Sequence, residues 1–190
     1  VSPELSRALL RLAAWLAIVP RRCMQAVAWM MVLMVLAIVF EVVTRRMRIE
    51  VPIVTSIRLL ELQWHFHVTL FMLSLGYGYL RNVHVRIDMA VTGLSLRSRA
   101  WLELAGLLLL FLPFVVMLLR WGVVFWAESW RMNEASDNPM GLPHRWLIKP
   151  VIPLGALLLI MAGTCNLLRL VVFLAGPPAE AARADPVLAR

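Results

Sequence analysis

The stretch LAGLLLLFLPFVVMLLRWGVVFW, Leu104–Trp126, decides the fold. It carries one charge, Arg120, in an otherwise apolar run. At ~1.5 Å per residue, a helix of this length crosses the ~30 Å hydrocarbon layer of a bilayer. Three further apolar runs surround it, at Cys23–Val43, Leu62–Leu80 and Val151–Ala175. The whole chain is 62% hydrophobic and 16% charged, and a soluble domain of 190 residues has no interior for four segments apolar on every side. The sequence therefore predicts an all-α fold: an integral membrane bundle of four transmembrane helices with short interfacial helical segments. The spans fall at about 23–43, 62–80, 104–126 and 151–175, within a membrane domain over residues 1–176. Residues 177–190, composed of Pro, Ala and charge, are expected to form a disordered tail.

Four spans and their loops use nearly the whole length, so no separate soluble catalytic domain is expected. The net charge is +8, but the basic residues are dispersed, and Lys149 is the only lysine among nineteen of them. A nucleic-acid partner would require a contiguous basic face with stacking aromatics. Arginines flanking apolar runs instead set membrane topology and meet anionic lipid. Cys23 and Cys165 both fall inside predicted spans, and no disulfide is expected. Arg21-Arg22 ahead of an apolar run resembles the start of a signal peptide. The run ends in Glu41-Val-Val-Thr-Arg-Arg without a small-residue cleavage site, so it is read as a retained first span.

No nucleophile–base pair, phosphate loop, acid/base carboxylate pair or metal cluster is present in the pattern. The chain is read as a non-enzyme with no catalytic, cofactor-binding or metal residues. His65-Phe-His67 would put two histidines on different faces of a helix, unsuited to one metal. A haem-b membrane cytochrome needs axial histidines on facing spans, and spans 1, 3 and 4 contain none.

Arginines orient the spans. Arg7, Arg11, Arg21 and Arg22 precede span 1, Arg81, Arg86, Arg97 and Arg99 follow span 2, and Arg169, Arg183 and Arg190 end the chain. The opposite side carries fewer: Arg45, Arg46, Arg48, Arg58, Arg131, Arg145 and Lys149. The positive-inside rule then places both termini in the cytoplasm. Trp64, Trp121, Trp126, Trp130 and Trp146 gather toward the outer ends of the spans as an interfacial belt.

Charges within spans lie near their ends: Glu41, Arg120 and Arg169. Snorkelling or an ion pair accounts for such positions. A homo-oligomeric small multidrug-type carrier, the main alternative, would require a glutamate near the middle of span 1, and Glu41 lies too near its end. Ser74 and Gly78 on span 2, and Gly155 and Gly163 on span 4, are read as close-packing helix surfaces, within the bundle or against another subunit. Pro113 is expected to bend span 3. The loop Arg45–Glu61 is expected to lie on the membrane surface as a short amphipathic helix from about Pro52. Glu128–Lys149 is the longest and most polar loop, broken by Pro139, Gly141 and Pro143.

Three stretches carry a family resemblance. They are Phe40-Glu-Val-Val-Thr-Arg-Arg with Glu61-Leu-Gln-Trp-His65; then Arg81-Asn-Val-His84-Val-Arg86-Ile-Asp88; then Glu128-Ser-Trp, Glu134-Ala-Ser, Gly141-Leu-Pro143, Trp146, Lys149 and Ile152-Pro-Leu-Gly155. In order and spacing, from about Val27 to Leu174, the chain resembles the small membrane subunit, of DctQ type, of tripartite ATP-independent periplasmic (TRAP) transporters. One departure is Arg45-Arg46-Met, where an aromatic often follows the first Arg in that family.

The resemblance implies a scaffold subunit in the bacterial inner membrane that braces a larger, many-spanning transport subunit. A periplasmic substrate-binding protein delivers the solute, often a carboxylate, and uptake is ion-coupled, with sodium as the expected ion. The residues expected to serve partner contact or structure are Glu41, Glu61, His65, Ser74, Gly78, His84, Arg86, Asp88, Glu128, Glu134, Asp137, Gly141, Pro143, Lys149, Gly155 and Gly163. Of these, His84, Arg86 and Asp88 alternate as an extended segment would and are expected to form a polar cluster on the inner face. The Glu128–Lys149 loop, carrying both signs of charge, is expected to meet the binding protein.

Overall fold

The computed structural model describes residues 1–49, 54–83 and 93–184. Every regular element among them is helical. In order these are α1 (Pro3–Val27), α2 (Trp29–Met47), α3 (Ser56–Leu80), α4 (Leu96–Gly106), a π-helical turn (Leu107–Phe111), α5 (Leu112–Arg131), a 3-10 turn (Arg145–Leu147), α6 (Val151–Ala175) and α7 (Pro178–Ala184). Among the described residues, three helical stretches are long and apolar enough to cross a membrane: Pro3–Met47, Leu96–Arg131 and Arg145–Ala175. The expected second span, 62–80 within α3, is not one of them; Gln63, His65 and His67 make its first half polar.

The helices run longer than the apolar runs. Residues 3–22, expected only to lead into span 1, form most of α1. The reason is amphipathicity: Ser6, Ala13, Ala17 and Pro20 recur at helical spacing and are buried, while Arg7, Arg11 and Arg21 are exposed. The expected surface helix beginning near Pro52 differs too. Ile57, Leu59 and Leu60 are the opening turns of α3 itself, with no Pro or Gly to interrupt the helix before Gly76, and residues 50–53 lie outside the described residues. In the tail, where disorder is expected, residues 178–184 form α7, and Glu180 is buried near Arg7 at 3.8 Å and Arg183 at 3.4 Å.

Leu104–Trp126 lies within one helical path from Leu96 to Arg131. It starts at Ser95, whose hydroxyl accepts from Ser98 N at 3.2 Å. Midway the helix widens into the π turn, where Leu112 N donates to Leu107 O. Pro113 follows directly. It has no N–H to offer, and the wider turn accommodates the break in the ladder.

Contacts divide the chain into two compact units, each with its own packing. One comprises Val1–Arg21, Leu75–Met117 and Leu157–Arg190. Its core joins Ala100, Leu107 and Leu170, and a second cluster joins Ala13 and Ala17 of α1 to Cys165 of α6. Cys165 Sγ donates to Ala13 O at 3.3 Å, which seats α1 on α6. The other unit comprises Arg22–Ser74 and Leu118–Ala156. There α6 meets α3 at Gly155, where a Cβ would come 2.6 Å from Met72 O, and α5 at Gly122, where it would come 3.0 Å from Ile152 Cγ2.

Candidate functional site

The most organised polar region lies in the second unit, where the loop after α5 folds back on the start of α3. Asn133 ends α5 in the left-handed region (φ 44°), and Glu134 N bonds back to Ser129 O at 3.0 Å. Asparagine tolerates this conformation at a helix C-terminus. Its side chain then serves a second purpose: Asn133 Oδ1 accepts from Trp146 Nε1 at 3.0 Å and lies 3.1 Å from His144 Nδ1. Trp130 packs edge-on against Trp146 at 4.2 Å between ring centroids.

Inside the loop, Ser136 N donates to Leu142 O at 3.1 Å and Gly141 N to Asn138 O at 2.8 Å. Asn138 Oδ1 accepts from Met140 N at 3.0 Å. Three residues at or just ahead of the start of α3 hold this turn. Thr55, just ahead of the helix, donates through Oγ1 to Met140 O at 3.1 Å, and Arg58 Nε donates to Gly141 O at 3.3 Å. Glu61 Oε2 accepts from Leu142 N at 2.7 Å, and its Oε1 accepts from the Ser136 hydroxyl. One carboxylate thus closes both strands of the turn.

Gly141 is required by this closure. A Cβ there would sit 2.3 Å from Ser136 Oγ and 2.8 Å from Glu61 Oε1. Burial pushes the Glu61 carboxyl up, but the Leu142 N–H, the Ser136 hydroxyl and the Arg145 charge outweigh it and hold the group below its ordinary value. Glu61 lies just ahead of the expected span 62–80, so these partners all belong to the loop side.

An ion pair anchors the other end of the loop. Lys149 Nζ bonds Glu134 Oε2 and also sits 3.8 Å from the centroid of the Phe125 ring. Lys149 holds the Glu134 carboxyl below its ordinary value. Arg145 N donates to Glu134 O at 2.7 Å, fixing the same residue by its backbone. The remaining charges stay at the surface: Glu128 pairs with Arg131 at 3.4 Å, and Asp137, fully exposed, lies 3.5 Å from Arg145. Pro143 is exposed as well.

The structure brings Glu61, Glu134, Gly141 and Lys149 into this one network and places Glu128, Asp137 and Pro143 around it. His65 lies one turn further along α3, with Nδ1 2.6 Å from Glu61 O. The other expected residues lie elsewhere. Glu41 pairs with Arg45 on α2 at 3.4 Å. Ser74 Oγ donates to its own helix at Phe71 O, 2.9 Å away, and Gly78 O accepts from Val83 N at 3.2 Å. Gly155 packs on Met72, and Gly163 faces Phe111, whose Cε1 a Cβ would meet at 2.5 Å. His84, Arg86 and Asp88 lie outside the described residues. Among the described residues, no group of three His, Cys, Asp or Glu side chains is gathered to hold a metal ion.

Sequence reasoning assigned no part in building the loop to Thr55, Arg58, Asn133, Ser136 and Asn138, and no packing role to Gly76, where a Cβ would come 2.6 Å from Leu158 O. Asn-Pro-x-Gly at 138–141 is a turn signal that pointed to the loop's tight bend. Nothing local marks its attachment to α3. The family model for tripartite ATP-independent periplasmic transporters, DctQ component, matches residues 34–173. That span covers α3, α5 and the whole clasped loop. No curated protein and no solved structure matched the chain.

Proposed function

Because the chain belongs to the DctQ components of tripartite ATP-independent periplasmic transporters, we propose that it is the small scaffold subunit of such a transporter. It sits in the bacterial inner membrane and crosses it four times, α3 supplying the crossing that composition alone does not secure, with both termini in the cytoplasm. It pairs with a large transport subunit, and a periplasmic substrate-binding protein brings a small organic-acid solute for sodium-coupled uptake. The observation that carries this reading is the family match across 34–173. The clasped loop supports a docking role. Its backbone is tied down by Glu61, Arg58 and Thr55, so little ordering remains to oppose a transient partner. Asp137, fully exposed beside Arg145 at 3.5 Å, presents a charge that can steer that partner.

The test is affinity purification of the chain in mild detergent from cells that also express the rest of the transporter. The reading expects a much larger hydrophobic subunit to co-isolate and uptake to require the binding protein. Solute transport by this chain alone in liposomes would overturn it in favour of a self-contained carrier.

A further inference from the structure

The C-terminal end of α2 carries an open pocket of about 340 Å³ lined by Val42, Arg45, Arg46 and Arg48. Three arginines line it, and among the described residues Glu41 pairs with one of them, taking Arg45 Nε at 3.4 Å. Among the described residues, Arg46 and Arg48 have no ion pair, and both are exposed. Nor are these side chains spent on capping the helix. Arg48 adopts the left-handed conformation (φ 55°), so the backbone itself closes the end: Arg48 N reaches Arg45 O at 3.3 Å and Ile49 N reaches Thr44 O at 3.0 Å. Satisfying those carbonyls also weakens the negative end of the helix dipole, which would otherwise repel an anion.

The surroundings say what kind of anion fits. Helix α2 has no buried residue. Val35, Val39 and Val42 follow one another at spacings of four and three, with Arg46 four further on, so a valine stripe leads along one face into the arginines. All three valines are exposed, at 46%, 54% and 47%. Short branched side chains leave a shallow apolar track there, and arginine rather than lysine supplies planar forks suited to phosphate oxygens. A soluble anion would use the charges and leave the track unused.

We propose that the C-terminal end of α2 is a binding site for one anionic phospholipid. Its phosphate sits between Arg46 and Arg48, with Arg45 held at the side by Glu41, and an acyl chain lies along Val42, Val39 and Val35. The site rests on α2 crossing the membrane and is independent of the transporter role.

The test uses the full chain in mild detergent, with phosphatidylglycerol and phosphatidylcholine of matched chains added together and bound lipid read by native mass spectrometry. The wild type is expected to retain phosphatidylglycerol in preference. The double variant Arg46→Gln/Arg48→Asn, in which asparagine suits the left-handed position, should lose about tenfold or more of that retention. The variant Arg21→Gln/Arg22→Gln, another basic pair, should keep it. Equal retention by wild type and the Arg46/Arg48 variant, with unchanged helicity, would overturn the site. Displacement of the lipid by millimolar inorganic phosphate would also overturn it, since the headgroup alone would then suffice. So would an Arg46/Arg48 variant that keeps the lipid but loses a co-purifying acidic polypeptide.

Discussion

Glu61 and Leu142 stand 81 positions apart in the chain, yet the Glu61 carboxylate accepts the Leu142 backbone N–H at 2.7 Å. The same carboxylate takes the Ser136 hydroxyl, so one side chain on α3 decides whether the long loop is a fixed surface or a loose connector. Replacing Glu61 by Gln removes the charge and one of the two acceptor oxygens. A hydrogen bond to a charged group is worth ~1.5–3 kcal/mol, and ~1.4 kcal/mol is a factor of ten. Amide exchange at Leu142 should therefore quicken about tenfold in the variant, with the α6 core unaffected. Unchanged exchange would show that the loop is held by other means.

The same clasp carries a pH dependence. Both Glu61 and Glu134 have carboxyls held below the ordinary 4.5. A group with a lowered folded-state pKa contributes stability in full above its unfolded value and loses it as pH falls through the folded one. The loop should thus resist proteolysis at neutral pH and become cleavable as the pH drops below about 4.5, and the Glu61→Gln variant should show a weaker transition. Cleavage that rises toward alkaline pH would contradict the sign.

Two acidic residues of the loop should behave differently in uptake assays, which bear on the proposed docking role. Glu134 is pinned by Lys149, whereas Asp137 is fully exposed. Asp137→Lys should slow uptake at low binding-protein concentration, leave expression intact, and be rescued as that concentration rises. Glu134→Lys should loosen the loop itself and resist such rescue. Identical behaviour of the two, or no effect of Asp137→Lys at any concentration, would leave the loop as a connector.

The glycines of α6 face neighbours of unequal stiffness. At Gly155 a Cβ would meet backbone, Met72 O at 2.6 Å, whereas at Gly163 it would meet the Phe111 ring, itself stacked on Tyr79 at 4.4 Å. Alanine at either site should destabilise by about 1–3 kcal/mol, read as a lower midpoint of thermal unfolding in detergent. Phe111→Leu should relieve most of the penalty of Gly163→Ala and none of that of Gly155→Ala. Equal effects in both backgrounds would mean that the ring is not the obstacle.

The proposed topology makes a labelling prediction. In a background with Cys23 and Cys165 replaced, Asp137→Cys should react with a membrane-impermeant thiol reagent in intact cells, while Ala182→Cys should not. The reverse pattern would invert the chain and remove the loop from the binding protein's side.

Amino-acid composition and periodicity alone located the long apolar runs and their helical character. Hydrogen bonding within a helix is local, and a run such as Leu104–Trp126 has no other way to satisfy its backbone in lipid. The same reasoning reached Pro113, Glu61 and Gly141 as notable positions. It missed α1, because arginines at Arg7 and Arg11 read as flanking charge until the small buried face of Ser6, Ala13 and Ala17 was seen against its neighbours. It read α3 as the equal of the other spans, although Arg58 and Glu61 at its start serve the loop. Which partner each residue meets was decided only by tertiary structure. Glu61 finds Leu142, Gly163 finds Phe111, and Asn133 finds Trp146, because contacts between distant segments depend on how helices are offset and rotated, and local spacing leaves those free.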